Sequence, residues 1–190
     1  MTDSTTDITR AKILIIATNG FEQSELEVPR DSLRAAGATV HVATPNGGSI
    51  RGWNEKDWGK TAGADLSITD IDTGKYDGLV LPGGQINPDI LHTNAQAVEI
   101  VRGFHNAGKV LAAIRHAPWL LVEAGVVKGR DVTSYHSIKT DVINAGGNWH
   151  DREVIADQGI VTARNPGDLE AFVAKIIEEI GEGRHDRLAA

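Results

Sequence analysis

The chain has 190 residues, a formal net charge of −7 and no cysteine; 41% of its residues are hydrophobic and 24% are charged. This length and composition are typical of one soluble globular domain. The acidic balance argues against binding to nucleic acid or an anionic membrane, and no apolar run reaches the length of a bilayer span. The lack of cysteine excludes disulfides, thiolate metal sites and thiol catalysis, and a cytoplasmic location is expected.

Apolar runs alternate with segments of helical spacing along the chain. The pattern predicts strands at 11–18, 39–43, 76–81, 110–114, 132–135, 153–156 and 160–163, and helices at 25–36, 94–107, 118–124, 138–145 and 167–180. A hairpin is predicted over 49–60, and Pro29 is expected in the first turn of its helix or at a kink. This alternation indicates one α/β domain at 11–180, a three-layer sandwich with a mostly parallel sheet, between a flexible leader at 1–10 and a solvated tail at 181–190.

The segment around Arg115 has the pattern of a nucleophile elbow, a sharp strand-to-helix turn that lifts one side chain above the sheet. The apolar run 110–114 precedes Arg115, Pro118 begins the next helix, and the small residues Ala113 and Ala117 lie two positions to either side. The tip of such a turn normally carries cysteine or serine. A guanidinium stays protonated and has no lone pair with which to attack a carbonyl. The sequence therefore predicts a turn built for catalysis that lacks its nucleophile.

Ligands of α/β folds gather beyond the carboxyl ends of the strands, so four segments are predicted to converge there: 19–25, 83–89, 115–116 and 134–136. Glu22 and Glu25 either exchange a proton with the residue at 115 or favour a helix N-terminus through its dipole. Gly83 and Gly84 either supply oxyanion-binding amides, together with that of His116, or form a plain turn.

Three more polar residues are candidates at the same edge. His116 would either act as an acid or base near neutral pH or have a structural role. Asp89 would either orient the imidazole of His116, from the same subunit or from another one, or be an ordinary acidic residue of a turn. His136 adds a third polar group. Histidine pairs at metal-ligand spacing and dinucleotide, P-loop and EF-hand motifs are absent, so neither a metal nor a cofactor is expected.

With these segments in place, the chain resembles the PfpI/ThiJ superfamily, in its branch of intracellular proteases, general stress proteins and protein deglycases. The resemblance covers residues 11–180. It rests on the motifs Phe21-Glu22-Gln23-Ser24-Glu25, Leu81-Pro82-Gly83-Gly84, Asn87-Pro88-Asp89, Ala113-Ile114-Arg115-His116-Ala117-Pro118, Val132-Thr133-Ser134-Tyr135, Asp141-Val142-Ile143-Asn144-Ala145-Gly146 and Thr162-Ala163-Arg164-Asn165-Pro166. It implies a flavodoxin-like sandwich that forms a homodimer or a hexamer.

The resemblance also implies roles for single residues. The family's nucleophilic cysteine falls at Arg115, its adjacent histidine at His116, its acidic partner at Glu25, its oxyanion amides at Gly84 and His116, and an acid from across the subunit interface at Asp89. The activities of the family are peptide hydrolysis, deglycation of glyoxal-type adducts, glyoxalase-like turnover and chaperone-like protection under stress. The implied substrate is a small carbonyl compound, a peptide or a glycated protein.

Two departures from the family pattern bear on function: Arg115 replaces the cysteine, and His136 stands where relatives usually carry proline. We therefore expect a stress-protective protein on a cysteine-hydrolase scaffold that is inactive in this form. Arg115 is expected to pair with Glu25, to lower the pKa of that carboxyl and to fill the pocket. Two alternatives stay open. One is a non-catalytic binder of small anions such as 2-oxo acids, or a chaperone-like protein; the other is thiol-free acid–base chemistry by Glu25 and His116, with or without His136.

Overall fold

In the computed structural model, which describes residues 6–187, strands alternate with helices as the sequence predicts. In chain order the elements are β1 (Lys12–Ile16), α1 (Gln23–Ala35), β2 (Thr39–Thr44), β3 (Ile50–Asn54), β4 (Asp57–Ala62), β5 (Leu66–Ser67), β6 (Gly78–Leu81), α2 (Ile86–Leu91), α3 (Ala95–Asn106), β7 (Val110–Ile114), α4 (Pro118–Ala124), β8 (Asp131–Val132), α5 (Lys139–Asn144), β9 (Asn148–Trp149), β10 (Val154–Asp157), β11 (Ile160–Ala163) and α6 (Leu169–Glu182). The predicted elements differ from these by a few residues at their ends, where local signals are weakest.

A seven-stranded sheet in the order β10-β11-β7-β6-β1-β2-β5 forms the centre of the molecule. All neighbouring strands in it are parallel except β10 and β11, which are antiparallel. The central strands β6, β7 and β11 are buried along their whole length. Uninterrupted apolar strands of this kind are typical of a parallel sheet covered by helices on both faces.

Two hydrophobic cores lie on opposite faces of this sheet. Leu14 of β1 packs on the face covered by α3 and α4, together with Phe104 and Leu121. The next residue, Ile15, packs on the other face, with Leu33 of α1 and Phe172 of α6. Successive strand residues point to opposite faces, so both cores follow from one apolar strand sequence. The predicted flavodoxin-like three-layer sandwich is confirmed.

The local features of the fold extend the sequence predictions. Of the two positions expected for Pro29, the first turn is excluded: Pro29 lies inside α1, and because proline has no N–H, the carbonyl of Glu25 loses its helical donor. Helix α2 and the short strands β5 and β9 were not predicted. These elements are too short for hydrophobic periodicity to reveal them. The predicted hairpin is present as the antiparallel pair β3–β4.

The two ends of the described chain are more ordered than the predicted leader and tail. Asp7 caps a 3-10 turn at Ile8–Arg10 by accepting a hydrogen bond from the amide of Thr9. Helix α6 continues to Glu182, and Arg187 then donates hydrogen bonds to backbone carbonyls of the loops before β7 and β11. The partners of these end residues lie far away in sequence, which is why local composition misses them. The remaining parts of both predicted segments, 1–5 and 188–190, lie outside the described residues.

None of the helices described here is long and apolar enough to cross a bilayer. The loops that follow β1, β6 and β7 leave three adjacent strands at the same edge of the sheet. This carboxyl edge carries the candidate site.

Candidate active site at the carboxyl edge of the sheet

Arg115 lies at the tip of the turn between β7 and α4 and has a backbone φ of +65°. A positive φ is uncommon and strained for a residue with a Cβ. The turn is held from both sides: the amide of Arg115 donates to the carbonyl of Ala163 on β11 at 3.0 Å, and its carbonyl accepts from the amide of Tyr135 at 2.8 Å. Pro118 begins α4 directly afterwards. The neighbouring segments therefore fix this strained backbone in place.

The Arg115 guanidinium lies close to two carboxyl groups and one aromatic ring. Its Nη1 donates a hydrogen bond to Glu22 Oε2 at 3.1 Å and lies 3.9 Å from Glu25 Oε1. Its Cζ lies 5.3 Å from the centre of the Tyr135 ring, a cation–π distance. The predicted pairing with Glu25 is thus the more distant contact. Glu22, at the N-cap of α1 with an extended backbone, provides the hydrogen-bonded partner.

Glu25 lies in the first turn of α1 and is completely buried. Neither of its carboxyl oxygens has a well-formed hydrogen bond to any group of residues 6–187. Burial raises the pKa of Glu25 to about 8, although the Arg115 cation lowers it and the nearby amides of Gly83 and Gly84 lower it less. The cation lowers this pKa as expected, but desolvation outweighs its attraction and the net shift is upward. At neutral pH the carboxyl is mostly protonated.

The Gly83-Gly84 pair lets the loop after β6 approach this carboxyl closely. A Cβ on Gly83 would lie 2.4 Å from Glu25 Oε2 and 2.5 Å from the carbonyl of Ile114. Gly84 has a φ of +85°, and a Cβ there would lie 2.7 Å from the backbone nitrogen of Glu22. The amides of Gly83 and Gly84 are directed at the Glu25 carboxyl and lower its pKa. The amide of His116 makes no hydrogen bond within residues 6–187 and is available to a ligand, as an oxyanion-binding amide must be.

His116 is 2% exposed and follows Arg115 directly. Its Nε2 lies 3.0 Å from Ser137 Oγ, while its buried Nδ1 has no hydrogen-bond partner in the described part of the chain. Burial lowers the pKa of His116 to about 4, and the charges of Arg115 and His136 lower it further. The imidazole is therefore neutral near pH 7, where it was predicted to exchange a proton.

Asp89 and His136 lie at the rim rather than at the centre of the site. Asp89 is exposed in the first turn of α2 and makes no hydrogen bond or ion pair with His116 within residues 6–187. It does not orient the imidazole in its own chain, and its role across a subunit interface stays a prediction. His136 stacks obliquely on Tyr135, with ring centres 4.3 Å apart. All four predicted segments thus meet at this edge, the last of them through Tyr135.

Asn87 is a residue of the site that sequence reasoning did not single out. It is completely buried, its Oδ1 accepts from the amide of Thr18 at 2.7 Å, and its Nδ2 donates to the carbonyl of Pro82 at 2.9 Å. Asn87 thereby ties the loop after β1, which leads to Glu22, to the loop that contains Gly83. An asparagine shortly after a Gly-Gly pair was the available signal.

This arrangement can bind but offers little direct chemistry. It combines one cation, two buried carboxyls, the free amide of His116 and no thiol. The single group of three metal-ligating side chains found in residues 6–187 lies elsewhere in the fold.

Comparison with known proteins identifies the family. The profile of the DJ-1/PfpI family matches residues 11–179. The chain is 41% identical over 167 residues to Deglycase PfpI of Pyrococcus furiosus, covering 88% of this chain and 98% of that protein. It is 35% identical over 163 residues to General stress protein 18 of Bacillus subtilis, covering 85% and 92%. The crystal structure of Drosophila melanogaster DJ-1beta has a TM-score of 0.83 and 31% identity, over 90% of this chain and 91% of that chain. The chain therefore belongs to the DJ-1/PfpI family.

Proposed function

We propose that this chain is a stress-protective member of the DJ-1/PfpI family that has no thiol-dependent activity in its present form. The observation that carries the proposal is the hydrogen-bonded ion pair of Arg115 with Glu22, 3.1 Å long, at the strained tip where the family resemblance implies a nucleophile. Relatives named as a deglycase and as a general stress protein support the broader assignment. The chain is proposed to act in the cytoplasm as a homodimer or hexamer.

The surroundings of Arg115 support cysteine chemistry on the same scaffold. A cysteine at this position would place its sulfur beside Glu25, whose raised pKa makes it a hydrogen-bond donor at neutral pH. The amide of His116, which is free, and that of Gly84, which is directed at Glu25, would donate to an oxyanion formed by attack on a carbonyl. Small carbonyl compounds, peptides or glycated proteins are the substrates proposed for that form. The guanidinium fills this space and has no lone pair to donate.

The experiment is to measure turnover of methylglyoxal and of a methylglyoxal-modified peptide by the parent chain, Arg115→Cys and Arg115→Ala. We expect background rates from the parent and from Arg115→Ala, and a gain of about tenfold or more for Arg115→Cys, because only the last supplies a nucleophile. The alanine variant separates gain of a thiol from removal of the guanidinium. Equal turnover by the parent and by Arg115→Cys would refute the proposal.

A second candidate function is binding of a small anion without catalysis. Arg115 Nε is buried and has no hydrogen-bond partner among the described residues, and it lies in the same site as the free amide of His116. A carboxylate or phosphate accepts hydrogen bonds from such donors, although it must compete with Glu22 for the guanidinium. Calorimetry with pyruvate and with phosphate, on the parent and on Arg115→Met, tests this function. It predicts binding by the parent that the methionine variant loses; absence of heat with both anions dismisses it.

A further inference from the structure

A second cluster of polar side chains lies at the opposite edge of the sheet, where the C-terminal end of α6 meets the loops that precede β7 and β11. Glu179, Glu182 and His185 each direct one ligand atom into it, and these atoms all lie within 4.8 Å of one another. Glu179 and Glu182 occupy successive turns of the helix, and His185 follows the helix end. The cluster is remote in the fold from Arg115, and nothing in the proposed chemistry there uses it.

Two of these side chains, those of Glu179 and His185, are largely buried and face each other without a well-formed hydrogen bond. The side chain of Glu179 is only 8% exposed, and no group of residues 6–187 donates a hydrogen bond to it. His185 Nε2 is buried without a hydrogen-bond partner in the described chain and lies 3.3 Å from Glu179 Oε2. The two groups lie within ion-pair distance of each other, yet His185 Nε2 makes no hydrogen bond with any described residue. A buried imidazole nitrogen without a hydrogen-bond partner is costly unless a cation joins it to the carboxylate.

The position of His185 is built into the fold. Its amide donates to the carbonyl of Gly108 at 2.8 Å. A Cβ on Gly159 would lie 2.4 Å from His185 Cδ2, so the glycine makes room for the imidazole. Two residues later, Arg187 fastens the chain through a hydrogen bond to the carbonyl of Lys109 at 2.6 Å. The histidine is thus held against the helix end before any ligand arrives.

We propose that Glu179, Glu182 and His185 bind a divalent first-row transition ion of the zinc class. Nitrogen and oxygen ligands at about 2.0–2.1 Å from a tetrahedral zinc lie roughly 3.3–3.4 Å apart. The distance of 3.3 Å between His185 Nε2 and Glu179 Oε2 matches that spacing. Glu182 is exposed and one helical turn away, so a change of its rotamer completes the set. An imidazole with two carboxylates favours zinc over calcium or magnesium and leaves one position for water.

Sequence reasoning missed this site for two reasons. The ligands follow one another at intervals of three residues, a spacing unlike the helical HExxH pattern. His185 also falls in the segment predicted to be a solvated tail. The tertiary contacts of Gly108 and Gly159, not the local sequence, bring the imidazole back to Glu179.

The test is zinc binding to the full chain, measured by competition with a chromophoric chelator. We expect one zinc ion per chain, with binding weakened about tenfold or more in His185→Gln and in Glu182→Gln. Glu178→Gln, which changes a neighbouring exposed carboxylate, and His150→Gln, which changes an exposed histidine paired with Asp131, are the matched controls and should bind like the parent. Cobalt(II) in place of zinc should give visible absorption bands that His185→Gln abolishes.

Three results would overturn the proposal. The first is failure of the parent to take up zinc. The second is unchanged binding in both His185→Gln and Glu182→Gln, or a loss that appears only in His150→Gln, which would identify an adventitious surface ion only. The third is calcium binding as tight as zinc binding and indifferent to His185→Gln. Glu182 is exposed, so Glu182→Gln decides the matter even if His185→Gln disturbs the packing of the chain end.

Discussion

The two edges of the sheet each hold an arginine, and their surroundings are opposite. Arg187, at the amino edge, donates hydrogen bonds to the carbonyls of four residues at 2.6–3.3 Å: Phe104, His105, Lys109 and Gln158. Arg115, at the carboxyl edge, donates one hydrogen bond, to Glu22, and its buried Nε has no partner within residues 6–187. The side-chain nitrogen atoms of Arg187 all donate hydrogen bonds within the described chain, whereas not all of those of Arg115 do.

This difference separates structural from functional polar groups. A buried polar atom without a partner costs free energy, so a fold tolerates it where a ligand or a reaction needs it. Among residues 6–187, most of the unpartnered buried side-chain atoms belong to Glu25, Arg115 and His116, and another is Nε2 of His185, which faces Glu179. The former belong to the candidate active site and the latter to the proposed metal site. Arg187 instead ties the chain end to two loops.

The largest expected effect is that of Arg187→Ala on stability. The substitution removes hydrogen bonds from a charged group to four carbonyls, and we expect the free energy of unfolding to fall by about 3 kcal/mol. Urea unfolding followed by circular dichroism measures it. Arg184→Ala, at an exposed arginine nearby, is the control and should change stability by less than about 0.5 kcal/mol. Equal effects of the two substitutions on stability would mean that the hydrogen bonds of Arg187 do not stabilise the fold.

A smaller effect is expected from Gly83→Ala at the carboxyl edge. The added methyl group would overlap the carboxyl of Glu25 and the carbonyl of Ile114, so we expect a loss of about 2 kcal/mol. Gly63→Ala is the matched control, because a Cβ there meets nothing within 4 Å. The same urea titration compares them. An unchanged free energy of unfolding in Gly83→Ala would show that the loop after β6 does not pack tightly against Glu25.

The smallest effect, but the most specific to the carboxyl edge, is a pH dependence of stability. Glu25 has a folded pKa of about 8 against 4.5 in the unfolded chain, so the folded state holds an extra proton between these values and loses stability as pH rises. His116 has a folded pKa of about 4 against 6.5, so its contribution rises with pH over that range. The contributions of Glu25 and His116 to the free energy of unfolding change in opposite directions below pH 6.5. Between pH 6.5 and pH 8, only the contribution of Glu25 still changes, and it falls.

The free energy of unfolding should therefore decline between pH 6.5 and pH 8, by at most about 1.4 kcal/mol per pH unit. Urea unfolding at several pH values measures the slope. Glu25→Gln should flatten the decline, whereas Glu170→Gln, at an exposed glutamate, should keep it. A decline that persists unchanged in Glu25→Gln would contradict the assignment of a raised pKa to this carboxyl.

Much of the candidate site could be predicted because it follows from local patterns. The apolar run before Arg115 and the proline after it predict a strand-to-helix turn, and the positive φ of Arg115 agrees with the strain expected there. The convergence of the Glu22, Gly83 and Tyr135 segments follows from the rule that loops at the carboxyl ends of parallel strands meet. The role of Asn87 did not follow, because its partners Thr18 and Pro82 belong to two different loops.

The sequence alone determined the α/β alternation, the parallel sheet, the family and the permanent charge at position 115, since these depend on periodicity, motif spacing and residue chemistry. Only the tertiary structure decided that Glu22 rather than Glu25 accepts the hydrogen bond of Arg115, and that Glu25 is mostly protonated at neutral pH. It also decided that His185 lies against Glu179. The reason is that desolvation and pairing depend on atoms that are close in space but distant along the chain.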